Sequence, residues 1–134
     1  MPALIKAVKD PDPHVRENAV FALGEIGAAA EPAVDVLIEA VDDPHPVVSF
    51  YALQSLGSIC AKPQVVIPLL LATLTKPQTD RTVYDVAIVG LGRFGATAQS
   101  AAPSILPFLH DEISYIRSDA TNTLKEIGIC VPTN

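Results

Sequence analysis

One phrase returns four times along this 134-residue chain, and that repetition limits the fold to a series of like supersecondary units. Its clearest copy is Val15-Arg16-x-x-Ala19-x-x-Ala22-Leu23-Gly24-x-Ile26-Gly27. A shift of 33 residues lands on Val48, Ala52, Ser55, Leu56, Gly57 and Ile59, and a shift of 68 lands on Val83, Ala87, Gly90, Leu91, Gly92, Phe94 and Gly95. The fourth copy, shifted by 101, reads Ile116, Arg117, Ala120, Thr123, Leu124, Ile127 and Gly128.

A second apolar stretch precedes each copy: Leu4-Ile5-x-Ala7-Val8, Leu37-Ile38-x-Ala40-Val41, Leu70-Leu71-x-x-Leu74 and Ile105-Leu106-x-Phe108-Leu109. Each repeat therefore has two elements, A and B. In element B the positions of Val15, Ala19, Ala22, Leu23 and Ile26 fall within about 100° of one another on a helical wheel, which is the apolar stripe of an amphipathic helix. No comparable stretch alternates with a period of two, so the pattern predicts helix A, a tight turn and helix B, four times over.

Turn chemistry agrees with that division. Asp10-Pro11-Asp12-Pro13 and Asp43-Pro44-His45-Pro46 end the A helices, and Pro13 and Pro46 stand where a first helical position tolerates a missing N–H. Asp12 and Asp80 occupy matching N-cap positions, each cap contributing about 1 kcal/mol. Gly27 and Gly95 suit left-handed helix stops, and Pro32, Pro63 and Pro103 lie near the next helix starts. Pro68 and Pro107 fall inside or near the start of the third and fourth A helices, where they predict a late start or a kink. The small residue at one B register, Ala19, Ala52, Ala87 and Ala120, predicts burial where helix B meets helix A. The repeats span approximately 1–28, 32–61, 63–96 and 102–128 of a single domain, with 129–134 as a tail.

Composition then removes several classes of function. The chain is 49% apolar and 18% charged with a formal net charge of −6, so it carries neither a disordered composition nor the basic surface that binds a phosphate backbone. No nucleic-acid partner is expected. The longest apolar run, Val65 to Ala72, contains Pro68 and falls well short of the roughly 20 residues a membrane-spanning helix requires. Cys60 and Cys130 have no CxxC spacing, which fits two free thiols in a reducing, cytoplasmic setting.

The phrases Asp10-Pro-Asp-Pro-x-Val-Arg-x-x-Ala-x-x-Ala-Leu-Gly-x-Ile-Gly27 and Pro32-Ala-Val-x-x-Leu-Ile-x-Ala-Val resemble the bacterial HEAT-like repeats named after the phycobilisome lyases. The resemblance covers nearly the whole chain. It implies an all-α, right-handed α-solenoid of four helical hairpins and about eight helices. It also implies an interaction scaffold, since members of this repeat family are mostly scaffolds while a subset handles bilin attachment to light-harvesting proteins. In HEAT repeats an Asp in the turn and an Arg six residues later form a ladder tying neighbouring repeats together. Asp10/Arg16 and Asp111/Arg117 match that pattern, whereas repeat two has Ser49 at the Arg place and repeat three has Tyr84 with no matching Asp. The middle of the ladder is expected to be replaced by apolar packing.

Catalytic and cofactor chemistry find little support in the residue pattern. His14, His45 and His110 lie near the A-to-B turns of different repeats and lack the i, i+4 spacing of a helical metal site. No Gly-x-Ser-x-Gly or Cys/His signature accompanies a nucleophile. Gly90-Leu91-Gly92-Arg93-Phe94-Gly95 echoes a dinucleotide loop but follows no strand. The expectation is a non-catalytic protein with no cofactor and no metal.

Seven aromatic residues are unevenly placed. Phe94 and Phe108 hold core-register positions. Phe21 and Phe50 project from the far side of helix B, and Tyr51 and Tyr84 lie on its flanks; by the HEAT resemblance, that side lines a concave surface. Exposed aromatic residues on one strip are the usual anchors of protein interfaces. The candidate partner-binding residues are Phe21, Phe50, Tyr51, Tyr84, Val89 and Arg93, with Glu17, Gln54, Asp85 and Asn122 as a polar rim. A bilin lyase or chaperone-like subunit is the alternative. Thr121, Asn122, Thr123, Lys125 and Glu126 read as a polar C-terminal cap, and Ala3, Leu4, Ile5, Ala7 and Val8 at the other end predict a cut face or self-association through the N-terminal helix.

Overall fold

The computed structural model describes residues 1–77 and 80–128. The expected tail, with Cys130, lies outside them. Among the described residues there are helices and no strands. The chain forms two compact units, Met1–Lys62 and Pro63–Asn134, and the boundary between them is the boundary between the second and third repeats.

Unit 1 contains α1 (Pro2–Ala7), α2 (Pro13–Ile26), α3 (Val34–Ala40) and α4 (Pro46–Ile59), with a 3₁₀ segment over Gly27–Ala33. Asp12 starts α2 by accepting the His14 N–H at 2.9 Å, one residue before which Pro13 occupies the first helical position. Asp10 and Asp43 are in one register and shape both turns alike, accepting the N–H of Asp12 and of His45 at 2.9 Å each. Gly27 ends α2 with φ 72°, and in the same register Cys60 ends α4 in the left-handed region with φ 55°.

Unit 2 contains α5 (Pro63–Thr75), α6 (Thr82–Arg93), α7 (Ala102–Ile105) and α8 (Ser114–Glu126), with 3₁₀ segments over Gly95–Ala101 and Leu106–His110. Pro68 neither delays nor interrupts α5, which starts at Pro63 and continues to Thr75. The carbonyl that its missing N–H would have bonded belongs to Gln64, which is exposed and open to water. Pro107 does break its helix: α7 stops after four residues and the chain continues as the 3₁₀ segment.

Each core grows from the repeated positions. Leu23, Leu56, Leu91 and Leu124 are fully buried, as is the small-residue register of Ala19, Ala52, Ala87 and Ala120. A Leu buried in this way stabilises its unit by about 1.5–3 kcal/mol relative to exposure. The stripe read from repeat one needs rotating, however. Val15 and Ile26 are exposed, while Val20 is fully buried. Helix α2 is covered on two sides, by helix A of its own hairpin and by α4, so its buried arc extends beyond a single amphipathic stripe.

That second side is built the same way in both units. Ser55 on α4 is buried and donates its hydroxyl to the Val20 carbonyl at 2.8 Å. Thr123 on α8, assigned by sequence to the polar cap, is buried and donates to the Ile88 carbonyl at 3.2 Å. Gly24 and Gly92 permit the approach. A Cβ on Gly24 would lie 3.1 Å from the Ser55 Cα and closer still to its side chain, whereas one on Gly92 would meet the Glu126 carboxylate at 2.9 Å and the Thr123 hydroxyl at 3.2 Å. Backbone cannot yield as a flexible carboxylate can. Gly24→Ala is therefore expected to destabilise the chain by about 1–3 kcal/mol, outweighing alanine's better helix propensity, and Gly92→Ala by distinctly less. Urea denaturation of the two variants checks this, and equal stabilities would contradict the close crossing at Gly24.

Candidate functional site

Polar rungs fix the hairpins within each unit. In unit 1, Arg16 reaches the next repeat's Asp43 with two parallel bonds, Nε to Oδ2 at 2.8 Å and Nη2 to Oδ1 at 3.1 Å. Its Nη1 turns back to the carbonyls of Asp10 and Pro11 at 2.9 and 3.1 Å. Burial pushes the Asp43 carboxyl up, but the Arg16 hydrogen bond, the His45 N–H and the nearby charges outweigh it and hold the group below its ordinary value. Ser49, at the Arg register of repeat two, donates instead to the Val41 carbonyl of its own hairpin at 2.6 Å.

Unit 2 corrects the expectation that apolar packing replaces the rung. Arg81, in the register of Pro13, pairs with Asp111, which is buried. Burial raises the Asp111 carboxyl, yet the Ile113 N–H and the Arg81 and Arg117 guanidinium groups leave it below its usual range. Tyr84, at the Arg register, supports this replacement. Its ring lies 5.4 Å from the Arg81 guanidinium carbon and 5.2 Å from the Phe108 ring, and its hydroxyl donates to the Lys76 carbonyl at 2.8 Å. Tyr84 is thus engaged in the local packing of its hairpin and is not presented as an anchor.

On unit 1, the far side of α2 and α4 carries the other aromatic candidates as one group. Phe21 is 45% exposed and stands edge-on to Tyr51 at 5.3 Å, and Tyr51 in turn stands edge-on to Phe50 at 5.7 Å. Glu17 and Glu25 flank Phe21 one helical turn to either side, and Gln54 is exposed one turn beyond Phe50. Unit 2 places Val89, half-buried, at the register of Phe21, and exposed Asn122 at that of Gln54. Arg93 takes the register of Glu25. The face of unit 1 is aromatic and acidic; at the equivalent positions unit 2 has no ring, Asp85 keeps a carboxylate at the Glu17 register, and Arg93 reverses the charge of Glu25.

Asp85 is the most perturbed carboxyl, and it does not serve as a solvated rim. One of its oxygens is buried without a hydrogen-bond partner. Burial, together with a shared hydrogen bond and repulsion from Asp119, pushes it up to about 7. Asp119, Arg81 and Glu25 are absent from the sequence-derived set. Asp119 was hidden because the pair forms only when α6 and α8 are side by side, and Arg81 because it lies outside the Arg register. The signs of the carboxyl effects are opposite. Asp85, raised in the folded state, contributes stability that is complete below its unfolded value of 3.8 and lost as pH rises through about 7. Asp43 and Asp111, lowered, contribute stability that is lost as pH falls below the ordinary aspartate range. Urea melts are expected to show wild type more stable at pH about 5 than at about 8, with Asp85→Asn removing most of that difference. An unchanged pH profile in Asp85→Asn would contradict the shared-proton pair.

These hairpins, with a guanidinium–carboxylate rung in each unit, define an all-α repeat protein. The family described as HEAT repeats matches residues 1–85, and the chain belongs to that family. No curated protein matches it. Among solved structures, it is similar to an engineered protein with a TM-score of 0.74 and 22% identity, over 93% of this chain and 61% of that one. It is also similar to the complex of CpcE and CpcF of phycocyanin lyase from Nostoc sp. PCC7120, with a TM-score of 0.68 and 24% identity, over 94% of this chain and 76% of that one. No helix among the described residues is long and apolar enough to cross a membrane.

Proposed function

We propose that this is a non-catalytic, cytoplasmic binding module that takes a protein segment on the helix-B face of residues 1–62. The observation that carries the reading is the Phe21–Tyr51–Phe50 group, in which Tyr51 stands edge-on to both phenylalanines and Phe21 is 45% exposed. Such rings bury large area on binding at low entropic cost, and a few of them commonly supply most of an interface's affinity. Membership of the HEAT repeats supports an interaction role. Val89, Arg93, Asp85 and Asn122 belong to unit 2 and are outside this group; Tyr84 acts on the stability of its own hairpin.

A bilin-handling lyase subunit is the second reading, favoured by the fold likeness to the CpcE and CpcF complex. A change in the absorption of added phycocyanobilin would support it. For the first reading, affinity capture with the full chain is expected to lose its specific partner by about tenfold or more with Phe21→Ala and with Phe50→Ala, at little change in melting temperature. Glu31→Ala, an exposed change remote in register from the aromatic group, should leave capture intact. Normal capture by both aromatic variants would overturn the proposal.

A further inference from the structure

The helix-B face of unit 1 carries uncompensated negative charge beside the exposed Phe21 ring and the half-buried Tyr51 and Phe50, and the two features together specify a ligand chemistry. Residues 1–62 contain four Lys and Arg against nine Asp and Glu. Three of those cations are committed elsewhere: Lys9 to Glu39 at 3.1 Å, Lys62 to Asp35 at 3.3 Å, and Arg16 to Asp43. Glu17 is left with His14 alone, at 3.8 Å, and Glu25 has no cation in ion-pair range among the described residues. Both carboxylates lie one turn from Phe21, on its own side of α2.

Resting on the binding-face reading above, we infer that this face recognises a cationic protein segment, an Arg or Lys side chain flanked by apolar residues. The charged head lies over the Phe21–Tyr51 rings between Glu17 and Glu25, and the flanking apolar residues cover Phe50. A cation over an aromatic face is attracted by the ring quadrupole, and neighbouring carboxylates add to the same potential. The molecule already makes this contact internally, with Arg81 over Tyr84. Unit 2 supplies the contrast. Its Val89 and Arg93 stand where unit 1 has Phe21 and Glu25, giving no ring and the opposite charge at those positions.

Selection of random phage-displayed peptides on the full chain tests the inference, followed by affinity measurements with the selected peptides as synthesised. The expected winners carry Arg or Lys beside apolar residues. Replacing that Arg by citrulline, which keeps the shape and removes the charge, should weaken binding by about tenfold, as should Glu17→Gln combined with Glu25→Gln. Glu25→Arg should weaken it further, and binding should fall with added salt. Glu25 and Phe21 are exposed and part-buried Glu17 changes only to its isostere, so melting curves of these variants should match wild type. Winners that are uncharged or acidic, lose affinity with Phe21→Ala and ignore the glutamate changes would overturn the cationic specificity while leaving the binding face standing. Winners indifferent to Phe21→Ala, or no enrichment at all, would overturn both.

Discussion

The distance at which neighbouring B helices cross is the constraint on which each unit depends. Gly24 against Ser55 and Gly92 against Thr123 remove a side chain at the crossing and put a hydroxyl in its place, hydrogen-bonded to a carbonyl that already serves its own helix. A buried hydroxyl without a partner would cost about 1–3 kcal/mol, so the carbonyl is as much a requirement as the glycine. Glycine inside a helix costs roughly 0.5–1 kcal/mol relative to alanine, and the close approach it permits is what offsets that cost. One turn along the same flank, Phe21 precedes Gly24 on α2 and Tyr51 precedes Ser55 on α4, and the same spacing brings their rings into contact. The candidate binding group is therefore a product of the core crossing beneath it.

Charge is organised around the same crossings. Arg16 and Arg81 join consecutive hairpins through Asp43 and Asp111, and each of those carboxylates also caps a turn through the N–H two residues on. One side chain thereby fixes both the turn and the rung. Carboxylates drawn into such rungs hold their charge, whereas Asp85, which faces Asp119 and has no ion pair among the described residues, binds a proton near neutrality. Glu17 and Glu25 belong to neither group; Glu17 is part-buried beside His14, Glu25 is exposed, and both flank the exposed Phe21 ring.

Much of this was legible in the repeated phrase. The helix pairs, the turn aspartates and the buried Ala and Leu registers follow from local chemistry that each copy states again. What escaped the sequence depended on contacts between copies. The rung from Arg81 uses a position three residues before the Arg register, which Tyr84 holds, and Thr123 reads as surface until its carbonyl partner is in place. Val20 was missed, and Val15 and Ile26 misplaced, because a single-stripe wheel assumes one buried side where α2 has two. Among the site residues, Phe21, Phe50, Tyr51, Glu17 and Gln54 do share one face of unit 1. Tyr84 differs because an Arg and a Phe close to it in its own unit offered its ring a packed position.

If the crossing sets the face, then opening the crossing should disperse the rings without touching them. Nuclear Overhauser contacts between the Phe21 and Tyr51 rings, measured in the wild-type chain and in Gly24→Val, address this directly. Those contacts are expected in the wild type and are expected to be lost in the variant, with helical circular dichroism largely retained. Ring contacts of equal strength in both proteins would contradict this dependence of the face on the crossing.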